Sequence, residues 1–125
     1  MSNLEETFGY LKSIVKQKSF SIKIDCENFE TVFIVEVEGG FQITDNCETF
    51  LYLDKNSSRT YLKYKDLDFS IIKKICDDNS VKLTRIDDES YHQINVTVFS
   101  VSDLSIAINN VANAIDAVFS YAYID

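Results

Sequence analysis

The chain has 125 residues, a one-domain length, and its 46% hydrophobic and 13% aromatic content suits a packed core rather than a disordered tail. With no Pro and three Gly it is neither collagen-like nor linker-like, and no apolar run reaches the ~20 residues of a membrane span. A net charge of −8 disfavours nucleic acid and anionic membranes and favours a cationic partner.

The first predicted element is a helix over residues 3–17. Leu4, Phe8, Leu11 and Val15 share one face, and Ser2 with Glu5 forms a capping box ahead of it. Residues 20–26 alternate Phe20, Ile22, Ile24 and Cys26 with Ser21, Lys23 and Asp25, the period of a half-buried strand. A turn then leads into a strand over 31–38. Phe33, Val35 and Val37 share one of its faces, and Val32, Ile34, Glu36 and Glu38 share the other. Gly39-Gly40 reads as a two-residue hairpin loop into a third strand over 41–44. These three strands predict an antiparallel meander.

Asp45-Asn46 ends that strand, and residues 47–53 read as a short helix. Residues 59–65 alternate in the manner of an edge strand guarded by lysines. Asp66 or Asp68 can cap a central helix ending near Asp78, with Leu67, Ile71, Ile72, Ile75 and Cys76 on its buried side. Residues 81–86 and 91–99 form a second hairpin across Asp87-Asp88-Glu89-Ser90. The last helix starts at a Ser102 cap and runs to about Ala122, with Leu104, Ile108, Val111, Ile115, Val118 and Ala122 as its core stripe. The fold class is therefore α+β: a three-stranded meander plus a second hairpin, packed by N-terminal, central and C-terminal helices in a single domain.

Charge along this chain is segregated. Residues 24–54 hold eight acids and no base, and residues 86–125 hold six acids and no base. Residues 55–85 carry eight bases against four acids. The last helix has no cation to offset its dipole, so its C-terminal end is either a solvated terminus or a seat for a basic partner. The N-terminus lacks the basic and apolar regions of a secretory signal. Cys26, Cys47 and Cys76 are odd in number and widely spaced, so reduced thiols in a bacterial cytoplasm are expected.

Catalytic machinery is not evident. His92 and three scattered thiols do not make the close-spaced ligand pairs of a zinc site, and no phosphate loop or nucleophile elbow occurs. No cofactor, metal or catalytic residue is assigned. One enzymatic alternative is a Mg²⁺-dependent hydrolase or nuclease using Glu36, Glu38 and Asp45 as strand-end carboxylates. Against it, the surrounding block has no base to grip phosphate.

The run Gly40-Phe41-Gln42-Ile43-Thr44-Asp45-Asn46, followed by Thr49-Phe50-Leu51-Tyr52-Leu53, resembles the bacterial family called domain of unknown function eighteen twenty-eight. Its members have a strand, a Thr-Asp-Asp-Gly-like turn and a short helix ending in Leu. Here Asn46-Cys47 stands where that pattern has Asp-Gly. The resemblance implies no established activity, and it implies carriage by bacteria and their mobile elements. It singles out Asp45, whose side chain can close the turn by a hydrogen bond.

The leading expectation is a non-enzymatic module whose acidic surface, through Glu36, Glu38, Asp45, Asp87, Asp88 and Glu89, engages a basic surface on another protein. In composition it is similar to anti-CRISPR and other DNA-mimic inhibitors of phage or mobile-element origin. A further alternative is a self-associating accessory domain, a homodimer through the Ala-rich face of the last helix.

Overall fold

Alternation of apolar and polar residues governs the strands, and tertiary pairing gathers them into one sheet. The structure, a computed structural model, describes residues 21–25 (backbone only), 31–55, 62–85, 87 and 90–122. Five strands, β1 (Ser21–Asp25), β2 (Thr31–Val37), β3 (Gly40–Thr44), β4 (Lys82–Thr84) and β5 (Gln93–Val98), lie in the order β1-β2-β3-β5-β4. All neighbours are antiparallel. Three helices accompany them: α1 (Glu48–Lys55), α2 (Phe69–Asp78) and α3 (Leu104–Ala122), with 3-10 turns at Tyr64–Asp66 and Val101–Asp103. The α+β class is as the periodicities indicate. The expected N-terminal helix falls outside the described residues.

One face of the sheet forms the core. Val32 and Ile34 of β2, Phe41 and Ile43 of β3, and Ile94 of β5 are buried beneath α3. The α3 stripe Leu104, Ile108, Val111, Ile115, Val118 and Ala122 is buried as its spacing predicts. Removing any one fully buried Leu or Ile side chain to Ala costs about 2–5 kcal/mol, so the sheet–helix layer dominates stability. Ala107, Ala112 and Ala114 are also buried in the chain's own core, which removes the Ala-rich face as a homodimer surface. At the helix end, the Leu62 N–H donates to the Ala122 carbonyl at 3.0 Å, so that carbonyl is capped internally.

Several local expectations are corrected. The β2–β3 loop is Glu38-Gly39, with φ +78° at Gly39 alone, because Gly40 already pairs with Val37. Of the two cap candidates, Asp68 is the one that caps α2, as the sequence allows, its Oδ1 accepting from the Ser70 N–H at 3.0 Å. Leu67 is buried but precedes that helix, and Ile71 is exposed. Ser100 rather than Ser102 caps the 3-10 turn that leads into α3. Residues 64–66 form a 3-10 turn where an edge strand was expected, since Tyr64 turns inward onto an aromatic cluster.

Gly40 is required for packing rather than for φ. A Cβ there would lie 2.2 Å from the Val98 carbonyl oxygen of β5 and 3.0 Å from the Phe99 ring. Because the first obstacle is backbone, relief requires moving β3 from β5. Gly40→Ala is therefore expected to cost about 2–3 kcal/mol, read as a lower urea midpoint. Gly39→Ala is strained through its φ and leaves the β3–β5 approach intact.

Candidate functional site

The resemblance and the carboxylate pattern both point to the turn after β3, and its geometry turns on Asp45. In the β3–β5 ladder Asp45 stands opposite Ile94, one step past the pair Thr44 and Asn95. The Asp45 N–H donates to the Ile94 carbonyl at 3.1 Å, as in a hydrogen-bonded antiparallel pair. The return bond is different. The Ile94 N–H donates to the Asp45 carboxylate Oδ1 at 3.0 Å instead of to its backbone carbonyl. That carbonyl is thereby free to accept from the Glu48 N–H at 3.0 Å, closing a turn that opens α1. Oδ1 also accepts from the Cys47 N–H at 3.0 Å, and Thr44 Oγ1 accepts from the Asn46 N–H at 2.9 Å. One side chain thus ends a strand, starts a helix and ties both to β5.

The central residues of this turn, Asn46 and Cys47, have φ of 54° and 64°. Two consecutive positive φ values are the type I′ pattern, which prefers Asn-Gly or Asp-Gly. Asn46 suits its place, whereas Cys47 holds a conformation that costs an L-residue about 1–2 kcal/mol. Its Sγ lies 3.5 Å from the Tyr91 carbonyl, a weak compensation.

Asp45 is 1% exposed, and its Oδ2 has no hydrogen-bond partner among the described residues. Burial pushes its pKa up to about 6, against the opposing influence of Thr49 and of the Ile94 and Cys47 amides. Burial, with Asp45 adding to it, also raises the Cys47 thiol. The buried Cys76 thiol rises to about 11 through burial, Asp45 and Asp77. Neither thiol has the lowered pKa of a nucleophilic cysteine.

Beside this turn lies a cluster that the sequence does not announce. The Phe50, Tyr64, Phe69, Tyr91 and His92 rings meet from α1, the 3-10 turn, α2 and the segment before β5. His92 stacks on Phe69 with ring centroids 4.0 Å apart. The His92 N–H donates to the Tyr64 hydroxyl oxygen at 3.3 Å, leaving that hydroxyl to donate to His92 Nδ1 at 2.7 Å. This assignment suits a neutral imidazole, whose pKa is lowered by burial and then by Arg85. The Tyr91 hydroxyl donates to Asp54 Oδ2 at 2.5 Å. These bonds and ring contacts knit loops together. His92 is the only signal in sequence for the cluster, as a lone polar aromatic among strand residues.

The sequence-nominated acids do not converge. Glu36 and Glu38 sit at the β2–β3 hairpin end, level with Val98 and Phe99. Asp87 sits at the other end of the sheet, past the pair Thr84 and Gln93, and Asp88 and Glu89 lie outside the described residues. The length of β5 separates the two ends by about 20 Å. Asp45 is buried at the Asp87 end and is therefore no part of an acidic surface. It is also too far along β3 to share a cation with Glu36 and Glu38, so the metal-dependent hydrolase loses its ligand set. Among the described residues no three His, Cys, Asp or Glu side chains are gathered as a metal ion would require.

Glu36 differs from the expected solvent-facing charge. It follows Val32 and Ile34 on the core face of β2, half-buried, with Oε2 covered and unpartnered among the described residues. It lines a groove of about 220 Å³ together with Val37, Gly40, Phe41, Phe99 and Val101. Phe99 is 74% exposed. A second groove of about 340 Å³ lies on the outer face of α1 beside Leu51 and Tyr52. No helix among the described residues is long and apolar enough to cross a membrane. Compared with protein-family models, curated proteins and solved structures, the chain finds no match.

Two outcomes follow from the turn. A folded-state pKa of about 6 against 3.8 in the unfolded chain favours folding fully below pH 3.8 and loses that contribution as pH rises through 6. The difference corresponds to about 3 kcal/mol, so wild type is expected to gain that much on Asp45→Asn between pH 7 and pH 3.5 in urea unfolding. Parallel pH profiles for the two proteins would contradict a buried, titrating Asp45. Separately, Cys47→Gly is expected to raise the thermal midpoint by about 2–4 °C, the αL relief outweighing the entropy of Gly. Cys47→Val, β-branched in the same conformation, should lower it.

Proposed function

We propose that this chain is a non-enzymatic, cytoplasmic binding module whose acidic surface engages a basic surface on another protein. The observation that carries this reading is the distribution of charge over the fold. β2, β3, β5 and the whole of α3 carry no Lys or Arg, while Glu38, Asp103 and Asp116 are exposed on or beside them. The bases of α2 face acids of their own helix: Lys73 pairs with Asp77 and Lys74 with Asp78, at 3.2 and 2.9 Å. An anionic surface of this kind speeds association with a cationic partner and makes the complex salt-sensitive.

A phage or mobile-element inhibitor of a host nucleic-acid-handling defence enzyme, acting in an anti-CRISPR-like manner on a DNA-binding surface, fits that physics. The family echo in residues 40–53 is in keeping with carriage on mobile elements. Because Glu38 and Asp87 occupy opposite ends of the sheet, the contact surface uses one end or runs along the α3 side rather than forming a single acidic patch.

Immobilised protein exposed to bacterial lysate should retain a basic, nucleic-acid-binding protein at about 50 mM salt and release it at about 500 mM. Added duplex DNA should compete for the partner. Glu38→Lys and Asp87→Lys, compared separately, should differ in retention and so identify the end that binds. Retention that ignores salt, DNA and both charge reversals would overturn the reading.

A further inference from the structure

The groove at the β2–β3 hairpin end has the parts needed to recognise a particular cation. Its wall holds Glu36, whose Oε2 is covered and has no hydrogen-bond partner among the described residues. A carboxylate oxygen kept from water without a donor is costly, and a donor entering the groove removes that cost. Turning the carboxylate toward the groove needs rotation about its terminal torsion, which has a broad minimum. Phe99 lines the same groove, its ring 74% exposed although large apolar side chains normally pack. Val37 and Val101 supply apolar wall for an aliphatic stem, and Glu38 at the exposed loop adds a second acid beside the mouth. Among the described residues no Lys or Arg lines the groove. Its floor depends on Gly40, where a side chain would strike Val98 and Phe99.

We infer that this groove receives an arginine side chain from a protein partner, its guanidinium meeting the Glu36 carboxylate and stacking on the Phe99 ring. The inference rests on the reading of the chain as a binder of basic protein surfaces and assigns that binding one anchor point. Arginine is favoured over lysine by geometry. A planar guanidinium can donate two parallel bonds to a carboxylate and lie against an aromatic face, which a compact ammonium cannot do. Cation–π contact over an exposed ring adds to the pairing.

The test is a titration of the full chain with a blocked tripeptide, acetyl-Gly-Arg-Gly-amide, followed by two-dimensional amide NMR at low salt. Shifts should concentrate at residues 37–41 and 99–101, with the citrulline peptide giving none and the lysine peptide binding about threefold or more weaker. Glu36→Gln and Phe99→Ala should each weaken the arginine peptide about fivefold or more while amides elsewhere keep their positions. Phe99 is exposed, so its substitution leaves the fold able to report even if Glu36→Gln disturbs it. A silent groove, an equal response to citrulline, or affinity unchanged in Phe99→Ala overturns the assignment. Salt-sensitive capture of a basic protein that survives both substitutions overturns the groove and leaves the wider reading standing. Groove binding of the peptide by a chain that retains no basic partner does the reverse.

Discussion

The bond from the Ile94 N–H to the Asp45 carboxylate is where the architecture is joined. By standing in for a backbone carbonyl, the side chain extends the β3–β5 ladder by one step and releases its own carbonyl to begin α1. The neighbouring elements depend on it. α1 places Phe50 within the aromatic cluster, and the register of β5 against β3 sets where the β4–β5 loop and the β2–β3 hairpin end. The cost is visible too, in a covered oxygen with no hydrogen-bond partner among the described residues and in a carboxyl pushed up to about 6. Buried polar groups that are only partly satisfied are retained where they specify geometry, and here the geometry is the change from strand to helix.

Asp45 therefore combines features that usually suggest chemistry with a position that precludes it. Its pKa is displaced and its surroundings hold thiols, a histidine and tyrosines. Yet it is closed from solvent, and both nearby thiols are shifted away from nucleophilicity. The His92 imidazole is held between Phe69 and the Tyr64 hydroxyl. Perturbed titration is a sign of function in an open cleft and a sign of structural tension in a closed core. Surface properties carry the functional argument instead: base-free central strands and helix, and the exposed Phe99 beside a half-covered carboxylate.

The turn also shows how a local motif is read correctly in part. Thr44, Asp45 and Asn46 announce a tight turn, because short polar side chains bond to nearby amides and Asn tolerates positive φ. Both side-chain bonds are present. The missing glycine at Cys47 is legible as a departure, and its positive φ gives that departure a physical meaning. By contrast, Glu36 reads as a surface charge because it alternates with Val35 and Val37. Ile34 and Val32, two and four residues earlier, place it on the core face, where its carboxylate lies beside a groove.

What the amino-acid sequence determined by itself is the course of its strongly periodic elements, β2, β5 and α3. A period of two in 31–37 and 93–98, a period near 3.6 in 104–122 and polar breakers between them act over a few residues, so they are readable without tertiary information. The segregation of charge along the chain is equally plain. Strand order was decided only in three dimensions: β5 enters between β3 and β4, a pairing that joins residues about fifty positions apart through backbone bonds common to every residue type. That pairing carries Glu38 and Asp87 to opposite ends, buries Asp45, and brings Phe99 beside Glu36. Composition shows how much negative charge the chain carries, and the non-local register of the sheet decides where that charge can meet a partner.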